Sequence, residues 1–118
     1  KQLGAWGEQL AADYLAGKGY EILARNWRYG RAEADIIARV QQILVFVEVK
    51  TRTNAEFGAP DEGVSVRKQQ LLYELASEYM HQQAYEGEIR FDIIAITGTA
   101  ATPTVDIQHY ADAFFPTW

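Results

Sequence analysis

The sequence predicts an α/β (α+β) fold, a mixed central β-sheet flanked by helices. Three observations carry this reading. Residues 2–18 and 65–83 place apolar side chains at three- and four-residue steps, the spacing of one face of a helix. The segments around and between them read as strands, giving the order α-β-β-β-α-β-(β). The run "IRFDIIAIT" is apolar on both faces, as expected of a central strand covered from two sides.

Each element has its own signal. In the first helix Leu3, Trp6, Leu10 and Tyr14 form the stripe, Ala11 and Leu15 widen it, and Gly17 and Gly19 stop it. "YEILARNWRY" reads as a strand ending in a turn at Tyr29–Gly30. "AEADIIA" and "QILVFVEVK" are two further strands joined through Arg39-Val40-Gln41-Gln42, a hairpin connection without the usual Gly or Asn. "TRTNAEFGAPDEGV" is rich in turn formers and reads as a loop over the sheet. Ser65 is placed to cap the second helix, whose inward face is Leu71, Leu72, Leu75, Ala76, Tyr79 and Met80. "PTVDIQHY" adds an edge strand, and "ADAFFPTW" is expected to pack as a short turn or tail.

A chain of 118 residues without linker or repeat is expected to form one domain, 1–118. It is 48% hydrophobic and 23% charged, within the range of water-soluble domains, and long enough to bury a core without covalent staples. There is no cysteine, which excludes disulfides, thiolate catalysis and Cys-based zinc sites and fits a cytoplasmic location. No run approaches the ~20 apolar residues of a membrane helix, and "KQLGAWGEQL" lacks the layout of a signal peptide. A few leading residues, the initiator Met among them, are expected to be missing ahead of Lys1. The net charge of −5 argues against a protein that simply coats nucleic acid. Its distribution is uneven, however. Arg25, Arg28, Arg31, Arg39, Lys50, Arg52, Arg67 and Lys68 fall in one stretch, and from Glu74 to Asp112 only Arg90 is basic.

Against this background "AEADIIARVQQILVFVEVKTR" stands out, because it sets Glu33, Asp35, Glu48 and Lys50 on strands otherwise suited to burial. Charges inside a sheet are costly to desolvate, so they imply a bound metal ion, an internal ion-pair network or a wet sheet end. Alternation places Glu33, Asp35 and Ile37 on one face, and Phe46, Glu48 and Lys50 together likewise. A turn centred between Val40 and Gln41 would set Glu33 opposite Glu48 and Asp35 opposite Phe46. Asp35 and Glu48 would then be diagonal neighbours, less than about 7–8 Å apart. Two such carboxylates can share a Mg²⁺ or Mn²⁺ ion, which acidifies a bound water and stabilises phosphate charge. A lysine alongside, Lys50, can orient that water or neutralise a phosphate oxygen. The competing reading pairs Glu48 with Lys50 and Glu33 with Arg31 as ion pairs on a solvated face.

The same stretch resembles the D…E-x-K core of the restriction-endonuclease-like nucleases, and its Asp35-to-Glu48 interval is similar to that of archaeal Holliday-junction resolvases. Nearly the whole chain resembles the small bacterial YraN family, through "GEQLAADYL", "NWR", "LVFVEVKTR", "FGAPDEGV", the helix bearing Lys68 and "IRFDIIAI". Where the family pattern has Gly-Glu, an apolar residue and Asp, this chain has Ala32-Glu33-Ala34-Asp35, with both acids present. The resemblance implies a restriction-endonuclease-like fold and a metal-dependent nuclease of resolvase type acting on DNA or structured nucleic acid. It implies Asp35, Glu48 and Lys50 as catalytic residues and a Mg²⁺ or Mn²⁺ ion held by Asp35, Glu48 and Glu8. Glu8 stands at the border of the helical stripe and matches a first-helix glutamate of the resolvases. Arg28, Arg31, Arg52 and Lys68 are the candidates for contacting nucleic-acid phosphates. The resolvase likeness is compatible with a homodimer, which is an expectation of the resemblance alone. A second class of function is a catalytically silent nucleic-acid-binding or protein-docking module, and a third a dimer whose charged strand residues pair across an interface. Gln69-x-x-x-Tyr73 resembles a motif of some nucleases of this superfamily but at helical spacing is read as packing, Trp6, Trp27 and Trp118 are read as core or interface, and His81 and His109 as isolated residues rather than ligands.

Overall fold

The computed structural model describes residues 2–53, 64–101 and 104–115, with side chains from residue 4 onward. Its elements run α1 (Gln2–Gly17), β1 (Glu21–Tyr29), β2 (Ala32–Val40), β3 (Ile43–Arg52), α2 (Val66–Gln82), β4 (Glu88–Thr97) and β5 (Asp106–Phe114). The five strands form one sheet in the order β1-β2-β3-β4-β5. Only the β3–β4 pair is parallel, as it must be when α2 carries the chain back across the sheet. The mixed sheet expected from the sequence is therefore observed, and β4 lies inside it between β3 and β5.

One helix covers each face. Ala11, Ala12 and Leu15 of α1 pack on Ile36, Ala38, Val45, Val47, Ile94 and Ile96. On the other side Leu72, Tyr73, Leu75, Ala76 and Tyr79 of α2 meet Ile37, Leu44, Phe46, Phe91, Ile93 and Phe114. Phe91 stacks between Phe46 and Phe114, with ring centroids 5.5 and 5.4 Å away. Trp27 meets Tyr79 edge-on at 5.0 Å, consistent with a core role. Ser65 caps α2 as expected, its hydroxyl accepting from the Lys68 N–H at 3.1 Å. Gln69 and Tyr73 bond to each other at 3.3 Å, and Tyr73 packs on Phe91, so that pair serves packing. "FGAPDEGV", Val64 excepted, and Trp118 lie outside the described residues.

The hairpin register differs from the expectation by two residues. Arg39 and Val40 remain in β2, pairing with Leu44 and Ile43, so Ile37 faces Phe46 and the turn is Gln41–Gln42 alone. Gln41 makes this tight turn by adopting φ 54°, a left-handed backbone uncommon outside Gly and Asn. A two-residue shift keeps the paired side chains on their faces, and Phe46 now faces Ile37 in place of Asp35. At the C-terminus the expected tail is instead the second half of β5, which continues to Phe114.

Gly7 sets how closely α1 approaches the sheet. A Cβ there would fall 2.1 Å from Thr51 Oγ1 on β3, so only glycine permits the contact. Gly7→Val is expected to lower stability by about 1–3 kcal/mol in urea unfolding, because the overpacked helix must lift off β3.

Candidate metal centre

The site lies where β2 and β3 part. Their antiparallel ladder ends at Ile36–Val47. Beyond it Asp35 Oδ2 accepts the Val49 N–H at 2.8 Å, so a carboxylate stands in for the missing backbone acceptor. Strict alternation fails at the same place. Ala34 and Ile37 both pack in the α2-side core, whereas Ile36 and Ala38 pack on the α1 side. In the neighbouring strand Asn26 has φ 52°, and Ala24 and Trp27 likewise share the α2 side. The expected face shared by Glu33, Asp35 and Ile37 is corrected accordingly: Asp35 sits in an irregular step.

Glu48 is only 3% exposed. Val47 and Val49 face α1, so Glu48 points to the α2 side. There its Oε2 accepts from the Lys68 ammonium, while its Oε1 is buried with no hydrogen-bond partner among the described residues. Burial pushes the Asp35 carboxyl up to about 7, and the nearby Glu48 charge adds to the rise. The Glu8 charge acts in the same direction on Asp35, and Lys68 opposes it. Burial likewise raises Glu48 despite the Lys68 contact and the Lys50 charge. Burial pulls Lys68 down, but the bond to Glu48 overrides it and holds the ammonium above its usual value. Two desolvated carboxylates thus oppose each other's ionisation, offset in part by Lys68 and Lys50.

The expected residues are brought together unevenly. Asp35, Glu48, Lys50 and Lys68 are near neighbours through the electrostatic effects just given. Glu8 approaches from the α1 side, where the Asn26 amide donates to both its carboxylate oxygens at 3.1 and 3.3 Å. Among the described residues no three acidic or histidine side chains stand at metal-ligating distance. Glu8 joins the other two only as a charge felt by Asp35. Hard carboxylate oxygens, one of them buried without a donor, nonetheless suit a divalent cation of the Mg²⁺ class. Lys68 already marks a cation position on Glu48.

Arg31 and Lys68 line a cleft of about 250 Å³ together with Glu33, Ser65 and Arg67. Arg28 pairs with Glu33 at 3.5 Å and is 75% exposed, and Arg52 sits at the end of β3, where its carbonyl accepts the Gly98 N–H. The ion pairs expected as the competing reading thus have other members: Glu33 with Arg28 and Glu48 with Lys68.

Sequence reasoning missed a second polar cluster. Asp92, 0% exposed, accepts from Arg90 Nε and Nη2 at 2.8 Å each, from His109 Nε2 at 2.7 Å and from the Asp112 N–H at 2.9 Å. His109 is therefore not isolated. The signal available was an acid within the apolar run "RFDIIAI", which needs buried partners.

Comparison with known proteins agrees with the whole-chain family likeness. A UPF0102 protein of Flavobacterium psychrophilum is 45% identical over 113 residues, covering 96% of this chain and 93% of its own. UPF0102 proteins of Christiangramia forsetii and Chlorobium limicola are each 45% identical, over 97% and 96% of this chain and 94% and 92% of their own. Residues 7–96 match the profile of "Uncharacterised protein family UPF0102", a span running from the glycine that seats α1 to the end of β4. The chain belongs to the UPF0102 family, which is the YraN family of the resemblance above.

Proposed function

We propose that this protein is a metal-dependent nuclease that hydrolyses phosphodiester bonds of DNA or structured nucleic acid. The observation that carries the reading is Glu48: a buried carboxylate with one oxygen unpartnered among the described residues, beside an Asp35 whose ionisation it opposes. A fold that only needed a stable sheet would gain by replacing both with apolar residues. Asp35 and Glu48 would hold Mg²⁺ or Mn²⁺, with Glu8 adding negative charge from α1. When bound, such an ion supplies an acidified water and neutralises charge on the phosphate. Lys50, two residues along β3 from Glu48, would orient the attacking water or stabilise a phosphate oxygen. Arg28, Arg31, Arg52 and Lys68 would position the strand through its phosphates, without reading sequence. Two copies would present paired sites to a two-fold substrate, and solution mass measurement tests that homodimer.

The test is cleavage of junctions, flaps, single strands and duplexes with Mg²⁺, with Mn²⁺ and with EDTA. Cleavage is expected only with a divalent ion, and Lys50→Ala is expected to slow it at least about a hundredfold. No cleavage of any substrate with either metal removes the catalytic claim. In that event, binding that weakens steeply with salt would leave the nucleic-acid-binding module, and absence of binding at low salt would point to a protein partner.

A further inference from the structure

We propose that Lys68 is an internal competitor for the metal: its ammonium holds the cation position on Glu48, and loading the site exchanges that ammonium for a divalent ion. The inference rests on the nuclease reading and adds to it how the site is filled. Three features argue for exchange rather than a permanent pair. Lys68 binds one oxygen of Glu48 and leaves the other, buried, without a hydrogen-bond partner among the described residues, so a single positive charge satisfies half of the carboxylate. The charges of Glu33 and Asp35 also reach Lys68, and a doubly charged ion meets several carboxylates better than one ammonium does. Finally, the helix does not itself favour a cation there. Lys68 lies in the first turn of α2, where the unpaired N–H groups favour negative charge, and that turn holds no acidic residue.

The side chain has somewhere to go. Ser65 fixes the Lys68 backbone at 3.1 Å, but the Lys68 side chain is 42% exposed, against 4% for Glu48. It can swing outward without moving the helix, into the cleft it shares with Arg31 and Arg67. A released Lys68 therefore joins two arginines where a phosphate backbone would pass.

Mn²⁺ binding, followed by electron paramagnetic resonance of the free ion, tests this in wild type, Lys68→Met, Lys68→Arg and Glu48→Gln. Lys68→Met is expected to bind Mn²⁺ at least about tenfold more tightly than wild type, Lys68→Arg no more tightly, and Glu48→Gln far more weakly. Unchanged or weaker binding by Lys68→Met, with Glu48→Gln still impaired, overturns the exchange and leaves the metal site standing. No binding by wild type or Lys68→Met, or binding indifferent to Glu48→Gln, removes the metal site and the exchange with it. Because Lys68→Met removes the partner of a buried charge, a second measurement uses the unaltered protein. Reductive methylation of Lys68 is expected to quicken several-fold at saturating Mg²⁺. An unchanged rate at a Mg²⁺ concentration shown by calorimetry to fill the site also overturns the exchange.

Discussion

Asp92→Ala is expected to lower stability by about 3–5 kcal/mol in urea unfolding at neutral pH, a large share of the stability of a domain this size. The wild-type carboxylate takes four donors from three sources: two from Arg90, one from His109 and one from the Asp112 backbone. Arg90 and His109 are themselves only 18% and 11% exposed, so water cannot easily replace the lost acceptor. The variant strands a guanidinium, an imidazole N–H and a backbone N–H together. Among the described residues Arg90 keeps the Tyr20 hydroxyl at 2.8 Å. The fold of β5 is also at stake. Its register with β4 shifts between Phe91 and Ile93, and Asp112 lies in the irregular stretch with φ 56°. The bulge turns the Asp112 N–H onto Asp92 and still returns Phe114 opposite Phe91, so losing the acceptor removes the reason for the bulge.

The pH dependence gives this prediction a signature. Burial alone would raise the Asp92 carboxyl, but the His109, Arg90 and Asp112 donors outweigh it and hold it below its ordinary value of 3.8. A carboxyl depressed in the folded state contributes stability that is complete above the unfolded value and disappears as pH falls through the folded one. The gap between wild type and Asp92→Ala should therefore close as the pH falls into acid. A gap independent of pH down to acid unfolding would show that shape, rather than charge, was lost.

These two clusters also mark where the sequence was legible. The helices and strands could be read because apolar spacing is a local signal, and Ser65 because a cap needs only its neighbours. The hairpin register could not, because Arg39-Val40-Gln41-Gln42 contains nothing that marks its centre; the left-handed backbone of Gln41 is imposed by the strands around it. Asp35 and Glu48 stand out in the sequence, since acids in apolar strands are conspicuous in any register. Their surroundings were hidden. The Lys68–Glu48 contact is made by folding α2 back over the sheet, and the step at Asp35 is accompanied by a left-handed Asn26 in another strand. His109 looked isolated because Asp92 and Tyr20 reach it from different elements. Local pattern reveals which residues are out of place, and only topology reveals whom they meet.

Asp35→Asn is expected to move stability and catalysis in opposite directions. The Asp35 carboxyl is raised from 3.8 to about 7 in the folded chain, by burial first and by Glu48 second. Stability tied to its protonated form is fully present below pH 3.8 and is lost as pH rises to about 7, because the unfolded chain releases this proton more readily. Asparagine carries no charge to desolvate, and its side-chain oxygen can still accept the Val49 N–H. In EDTA at neutral pH the variant should therefore be more stable than wild type by about 1–2 kcal/mol, with the gain shrinking towards pH 4. Divalent-dependent cleavage should fall at least about a hundredfold, since the amide neither attracts the ion nor repels Glu48. Adding Mg²⁺ should stabilise wild type and leave Asp35→Asn nearly unmoved. Melting curves with and without Mg²⁺ across this pH range separate the outcomes. A variant destabilised in EDTA at neutral pH would mean that Asp35 is kept to hold β2 against β3, whereas a stabilised and inactive one means that the strand break carries its charge for the sake of a cation.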